Sequence, residues 1–340
     1  MRHFFRGTGI AIVAALTSCP SVPASQPRPS SLFAFTTNDF WLNLHHYLYV
    51  LGRVRNHAPD ASQVAVASAA DDERQGLESL NDEERRIWET SVTAYANGLS
   101  NRPSVFQPPL NRMTSALANS GDGIGFPVTS FDAAARDVLT AAAPVYRKAW
   151  WPRHRSMNEQ YVARLVQQIE GDGPAIIDAL SRVYQLSWPE RPYPTHVVAY
   201  AIWQGAFSFT GERMVLSSNG NSMNDRWYPL ESVFHEAMHQ WDDRVDEALQ
   251  EQATRQRVTV AQDLSHALLF FTAGYVVQRL HPEHQPMMDA ASIWRGMLSG
   301  GRAPVERLRS AIQQTWKPYI DGRGTRDEAF AAMVAAAYVP

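Results

Sequence analysis

The chain of 340 residues has a single cysteine, Cys19, so no internal disulfide can staple the fold. No apolar run is long enough to stay in a bilayer as a permanent helix, because the short stretch Ile10 to Leu16 falls far below the required length. Neither sign of charge dominates: 31 Lys and Arg against 34 Asp and Glu leave a net charge of −3. Hence no basic stripe argues for a nucleic-acid partner, and no acidic tail argues for disorder. There is no internal repeat, which excludes a solenoid or propeller. What remains is a chain 45% hydrophobic, long enough to bury a substantial core in one large domain or two small ones. Its 10 Trp and 12 Tyr are read first as anchors of a helical core, and second as a cleft lining.

Residues 1–25 have the pattern of an export signal. Arg2, His3 and Arg6 precede the short apolar segment, and Val22-Pro23-Ala24 carries small residues where a signal peptidase reads. Leu16-Thr17-Ser18-Cys19 resembles a bacterial lipobox, whose cysteine is lipidated and becomes the mature N-terminus. The lone thiol at that position favours lipidation, although Pro20 is an unusual follower. Either way the expected location is exported, in a bacterial envelope or free in the periplasm or medium. Membrane contact is expected only through a lipid on Cys19. Losing Arg2 and Arg6 with the signal takes the charge from −3 to −5.

Residues 20–34, rich in Pro and Ser, read as a tether. Asn38-Asp39 caps an expected helix to about Leu51, and Asn81 with Glu84 forms a capping box for another, to about Gly98. Prolines and glycines crowd residues 99–128, a loop-rich joint that sets the expected division into 26–128, an N-terminal helical region, and 129–340. Helices are expected at Phe131–Ala143, Asn158–Ile169 and Pro174–Leu186, and later at 290–298, 304–316 and 327–337. The adjacent His45 and His46 point 100° apart on a helix and make a poor chelate, so they are assigned to packing or surface. Trp150-Trp151-Pro152-Arg153-His154-Arg155 reads as a buried tryptophan pair beside a solvated basic turn.

The informative segment follows three short strand-like runs, Thr195–Trp203, Ala206–Thr210 and Glu212–Ser217, punctuated by Gly205, Gly211 and Asn219-Gly220-Asn221. From Leu230 to Trp241 the apolar residues are spaced 3, 1, 3, 1, 3, the stripe of an amphipathic helix. Glu231, His235, His239 and Asp242 form a polar row beside it. Within this helix His235-Glu236-Ala237-Met238-His239 spells HExxH. Four residues is little more than one turn, so both imidazoles lie on one face and can share one metal.

Strands, a turn and then an HExxH helix resemble the zincin metallopeptidase superfamily over residues 195 to about 280. The resemblance implies an α+β fold, predominantly helical, with a small sheet at about 195–218 preceding the HExxH helix and extra helices on both sides. It implies Zn2+ as cofactor, held by His235 and His239, and a peptide or protein substrate. Glu236, turned 100° from His235, would serve as general base toward a water acidified by the metal. A catalytic zinc takes three protein ligands. Val245 stands where the metzincin pattern has its third histidine, which excludes that class. His266, the one histidine of an almost wholly apolar helix expected at 261–280 with Thr259 and Gln262 as its capping box, is the first candidate. Asp263, Glu247 and Glu251 are the alternatives, and a core histidine bonded to a carbonyl or to Asp263 is the bland reading of His266. A histidine here departs from the gluzincin and aspzincin patterns, so the clan is undecided. Tyr275 lies 180° from His266 and is assigned to the core; His196, Tyr228 and Tyr319 are further candidates for stabilising an oxyanion.

The function expected on these grounds is an exported zinc-dependent hydrolase of peptide bonds. Two alternatives stand beside it: an inactive zincin-like envelope binding or scaffold protein, and a zinc amidase acting on peptidoglycan.

Overall fold

A computed structural model describes residues 29–57, 63–102, 108–201, 205–209, 212–219, 226–260, 264–290 and 305–338. The expected export signal at 1–25 with Cys19, and Gly211, Gly220, Asn221, Gln262, Asp263 and the segment 291–304, lie outside the described residues. The fold is α+β and predominantly helical, at 71% helix with one small mixed sheet. No described helix is long and apolar enough to cross a membrane.

The sheet has four strands in the order β1-β2-β4-β3: β1 Phe33–Thr36, β2 Tyr193–Val198, β3 Ala206–Phe209 and β4 Arg213–Ser217. The first pairings, β1 with β2 and β2 with β4, are parallel; β3 is antiparallel to β4 and ends the sheet. Side chains alternate between faces. Val197, Met214 and Leu216 therefore enter one hydrophobic core, while Val198, Val215 and Phe207 enter another. A sheet buried on both faces explains why these strands read as nearly continuous apolar runs.

One core is built on the N-terminal helices α1 (Phe40–Arg55), α2 (Gln63–Leu77), α3 (Asp82–Asn97), α4 (Pro108–Leu117) and α5 (Ala133–Ala149). The other gathers around α6 (Trp151–Tyr184), α7 (Tyr228–Met238), α8 (Asp242–Gln256), α9 (Leu264–Leu280) and the C-terminal helix Arg326–Tyr338. The expected capping box of α3 is present, with reciprocal bonds of 2.9 Å between Asn81 and Glu84. Trp150 and Trp151 are buried, and Trp150 stacks on Trp88 with centroids 4.2 Å apart. His45 and His46 are buried too, as packing groups.

Four expectations are corrected. The supposed tether forms a 3-10 turn, Pro29–Leu32, and strand β1, because Phe33 finds a parallel partner at Tyr193 and an edge-on contact with Phe234. The joint at 99–128 contains α4, whose Pro108 and Pro109 occupy a first turn that needs no amide donors. The helices expected at 158–169 and 174–186 are one 34-residue helix, α6, that runs through Pro174. Finally, His154 is not solvated: it is fully buried, with Nδ1 at 2.8 Å from the Tyr146 hydroxyl and Nε2 at 2.8 Å from Asp72.

Asp39 precedes α1 but makes no capping bond from its side chain. Its carboxylate instead accepts from His196 Nδ1 at 2.7 Å and from the Gly121 amide at 3.1 Å, joining α1 to β2 in the interior. Asp39→Ala leaves the buried His196 Nδ1 and the half-buried Gly121 amide without that acceptor. It should lower unfolding free energy by on the order of 3 kcal/mol, read as a shift of the denaturant midpoint at unchanged slope.

Candidate metal centre

Helix α7 starts with Pro229 in its first turn, where proline is tolerated. Every residue from Pro229 to Met238 is buried, so its polar row is not a solvated face. Glu231 is fully buried and accepts from His284 Nε2 at 2.6 Å and from the Met287 amide at 3.1 Å. One turn on, His235 and Glu236 are 1% and 5% exposed, so what they face is protein.

The α-helix stops at Met238, and a 3-10 turn, His239–Trp241, leads directly into α8. His266 comes from the first turn of α9, which packs along α7. The two helices approach closely at Gly274: a β-carbon there would lie 2.7 Å from Glu231 Oε1 and 2.7 Å from Pro286 Cβ.

Among the described residues, His235, His239 and His266 form a group whose ligand nitrogens all lie within 4.8 Å of one another. His235 Nε2 and His266 Nε2 are 3.2 Å apart. Two nitrogens at 2.0–2.1 Å on a tetrahedral zinc ion stand about 3.3 Å apart, so this pair has the separation a shared ion requires. Glu236 lies beside them without joining them: Oε1 is 4.0 Å from His235 Nε2 and Oε2 is 3.9 Å from His239 Nε2. Oε2 is buried and makes no hydrogen bond. Three convergent imidazoles and an orphaned carboxylate oxygen fit a divalent metal with room for one further ligand. No protein-family model, no curated protein and no solved structure matches this chain.

The electrostatics favour the ligand form of two rings. Burial, reinforced by the neighbouring imidazoles, holds His235 well below the usual histidine range and lowers His266 to about 3, so both are neutral at physiological pH. Phe270 lies against the His235 ring with centroids 3.7 Å apart and supplies part of that apolar wall. His239 behaves oppositely. Burial opposes its charge, yet the Asp242 carboxylate and Glu236 outweigh it and raise its pKa. Burial also pushes Glu236 up to about 7 in the metal-free chain, against the opposing pull of His239. A dication among these rings would reverse that balance.

Asp242, the last member of the polar row, places its carboxylate oxygens 2.9 and 3.0 Å from His239 Nδ1, three residues on along the chain. Two neighbouring groups escaped the sequence reading. Ser208 of β3 donates to the Glu236 carbonyl at 2.8 Å, and Tyr193 of β2 touches Ser208 at 3.3 Å. Neither had a local signal, because the sheet brings them there.

The remaining candidates are elsewhere. Glu247 and Glu251 are exposed on α8, and Glu251 pairs with Arg255. Tyr275 donates to Asp321 at 2.7 Å, Tyr319 donates to the Val183 carbonyl at 2.7 Å, His196 is taken by Asp39, and Tyr228 packs edge-on against His284. Asp263 lies outside the described residues.

His266→Ala removes one of three donors while leaving the HExxH helix intact. Zinc affinity should fall by more than the roughly 100-fold upper range for losing an outer-shell partner. Chelator competition on the purified protein measures it, and an unchanged affinity would exclude His266 as a ligand.

Proposed function

We propose that this protein is a zinc-dependent hydrolase that cleaves peptide bonds. The observation that carries the reading is the convergence of the His235, His239 and His266 nitrogens with the Glu236 carboxylate beside them, its buried Oε2 without a hydrogen-bond partner. A bound zinc ion supplies a Lewis acid that acidifies water and polarises an amide carbonyl.

The chain's own residues do the rest. His235, His239 and His266 hold the ion through neutral rings, the form that burial already imposes on His235 and His266. Glu236 has its carboxylate a helical step away from the ligand row, so it takes a proton from the attacking water and returns it to the leaving amine. Phe270 and the buried surroundings of His235 keep bulk solvent from competing. Ser208 ties β3, the last strand of the sheet among the described residues, to the backbone of the residue that carries the base, which keeps that strand beside α7. Export, with or without lipid on Cys19, belongs to the same proposal.

The test is metal analysis with assay of the purified protein on a mixed peptide pool, beside a peptidoglycan substrate. Stoichiometric zinc with peptide cleavage supports the reading. Tight zinc with no hydrolysis of peptides, before and after chelation and reloading, overturns it.

A further inference from the structure

The 3-10 turn after Met238 delivers Asp242 as the first residue of α8, directly beneath the His239 ring. The opposite side of α8 is anchored: Val245 and Leu249 are 2% and 1% exposed in the core, while Asp243, Arg244 and Glu247 face solvent. Aspartate is a short side chain, so the Asp242 carboxylate has little freedom relative to the α8 backbone.

We propose that the start of α8 braces the metal centre: Asp242 fixes His239 as the Nδ1–H tautomer with its Nε2 lone pair turned toward His235 and His266. The inference rests on the zinc reading and deepens it, making Asp242 a positioning residue. A metal-ligating imidazole bonded through its other nitrogen to a carboxylate is oriented and made more basic. The competing account is that Asp242 merely stabilises α8, as an acidic group near its positive end. That account predicts a small loss of helix stability and no effect on the metal.

The experiment uses the full chain, wild type and the variants Asp242→Ala and Asp242→Asn. Two quantities are read: the zinc dissociation constant by chelator competition, and the His239 tautomer of the metal-free protein by long-range 1H–15N correlation above neutral pH. Wild type should show Nδ1–H at His239. Asp242→Ala should lose that single tautomer and bind zinc about 10–100-fold more weakly. Asp242→Asn keeps an acceptor oxygen and should recover the tautomer and part of the affinity. Thermal melts of the metal-free variants identify any that fail to fold, in which case Asp242→Asn and the wild-type tautomer carry the test. Asp242→Ala binding zinc within about twofold of wild type, or wild-type His239 carrying its proton on Nε2, overturns the brace. If wild type binds no zinc, the hydrolase reading falls by itself, and the tautomer measurement still decides what Asp242 does.

Discussion

Glu236→Gln should lower peptide hydrolysis by about 10²–10⁴-fold, the range typical of losing a general base, while zinc stoichiometry and affinity stay unchanged. The two effects separate because Glu236 is not part of the His235, His239 and His266 group whose ligand atoms all lie within 4.8 Å of one another. Glutamine is nearly isosteric, so the buried volume around the 5% exposed side chain is preserved. It also removes a buried ionisable carboxyl whose charge the surroundings disfavour, so the variant should be at least as stable as wild type. Parallel measurement of kcat/KM, bound zinc and melting temperature checks all three points. A fully active variant would remove Glu236 from the mechanism; an inactive variant that has lost its zinc would show instead that the carboxylate holds the metal.

The second large effect is expected at a residue far from any chemistry. Gly274→Ala places a methyl group 2.7 Å from Glu231 Oε1 and 2.7 Å from Pro286 Cβ, and neither neighbour can easily retreat. The Glu231 carboxylate is held by His284 and the Met287 amide, and moving it breaks a buried, hydrogen-bonded pair. Overpacking alone costs about 1–3 kcal/mol, and disturbing a buried pair adds to that, so a total on the order of 3 kcal/mol is expected. The same methyl pushes α7 from α9 and widens the 3.2 Å gap between His235 and His266, so zinc affinity should fall with stability. Gly171→Ala is the control: it lies in α6 with open space around its β-carbon position, and should stabilise by up to about 1 kcal/mol. Chemical denaturation with and without zinc measures both variants. Gly274→Ala as stable as wild type would mean that α7 and α9 are not locked together at this point.

Local patterns carried much of the fold. The capping box at Asn81 and Glu84 marks the start of α3 because both partners lie within one turn. The strands around 195–217 were legible through their aromatic and β-branched runs, and the apolar stripe of α7 through its 3.6-residue period. What failed depended on distant partners. Phe33 becomes a strand residue only because Tyr193 pairs with it, and nothing near Phe33 encodes that. Pro174 normally argues for a break, yet α6 continues through it. Gly173 lets α6 approach Pro29 and Phe234 at the same level, so the packed elements on either side keep the helix going.

At the candidate site, His235, Glu236 and His239 were legible because the chemistry needs them at fixed spacing on one helix. His266 was legible for another reason, as a lone polar ring in a helix otherwise too apolar for solvent. The sequence by itself thus pointed to the three histidines that the structure groups together, since residue type and helical period are local properties. Tertiary structure alone decided that Ser208 reaches Glu236 from a strand and that Gly274 sets the distance between α7 and α9. Those contacts join segments whose mutual placement depends on how the two cores pack around the sheet, and packing of that kind leaves no period in the chain.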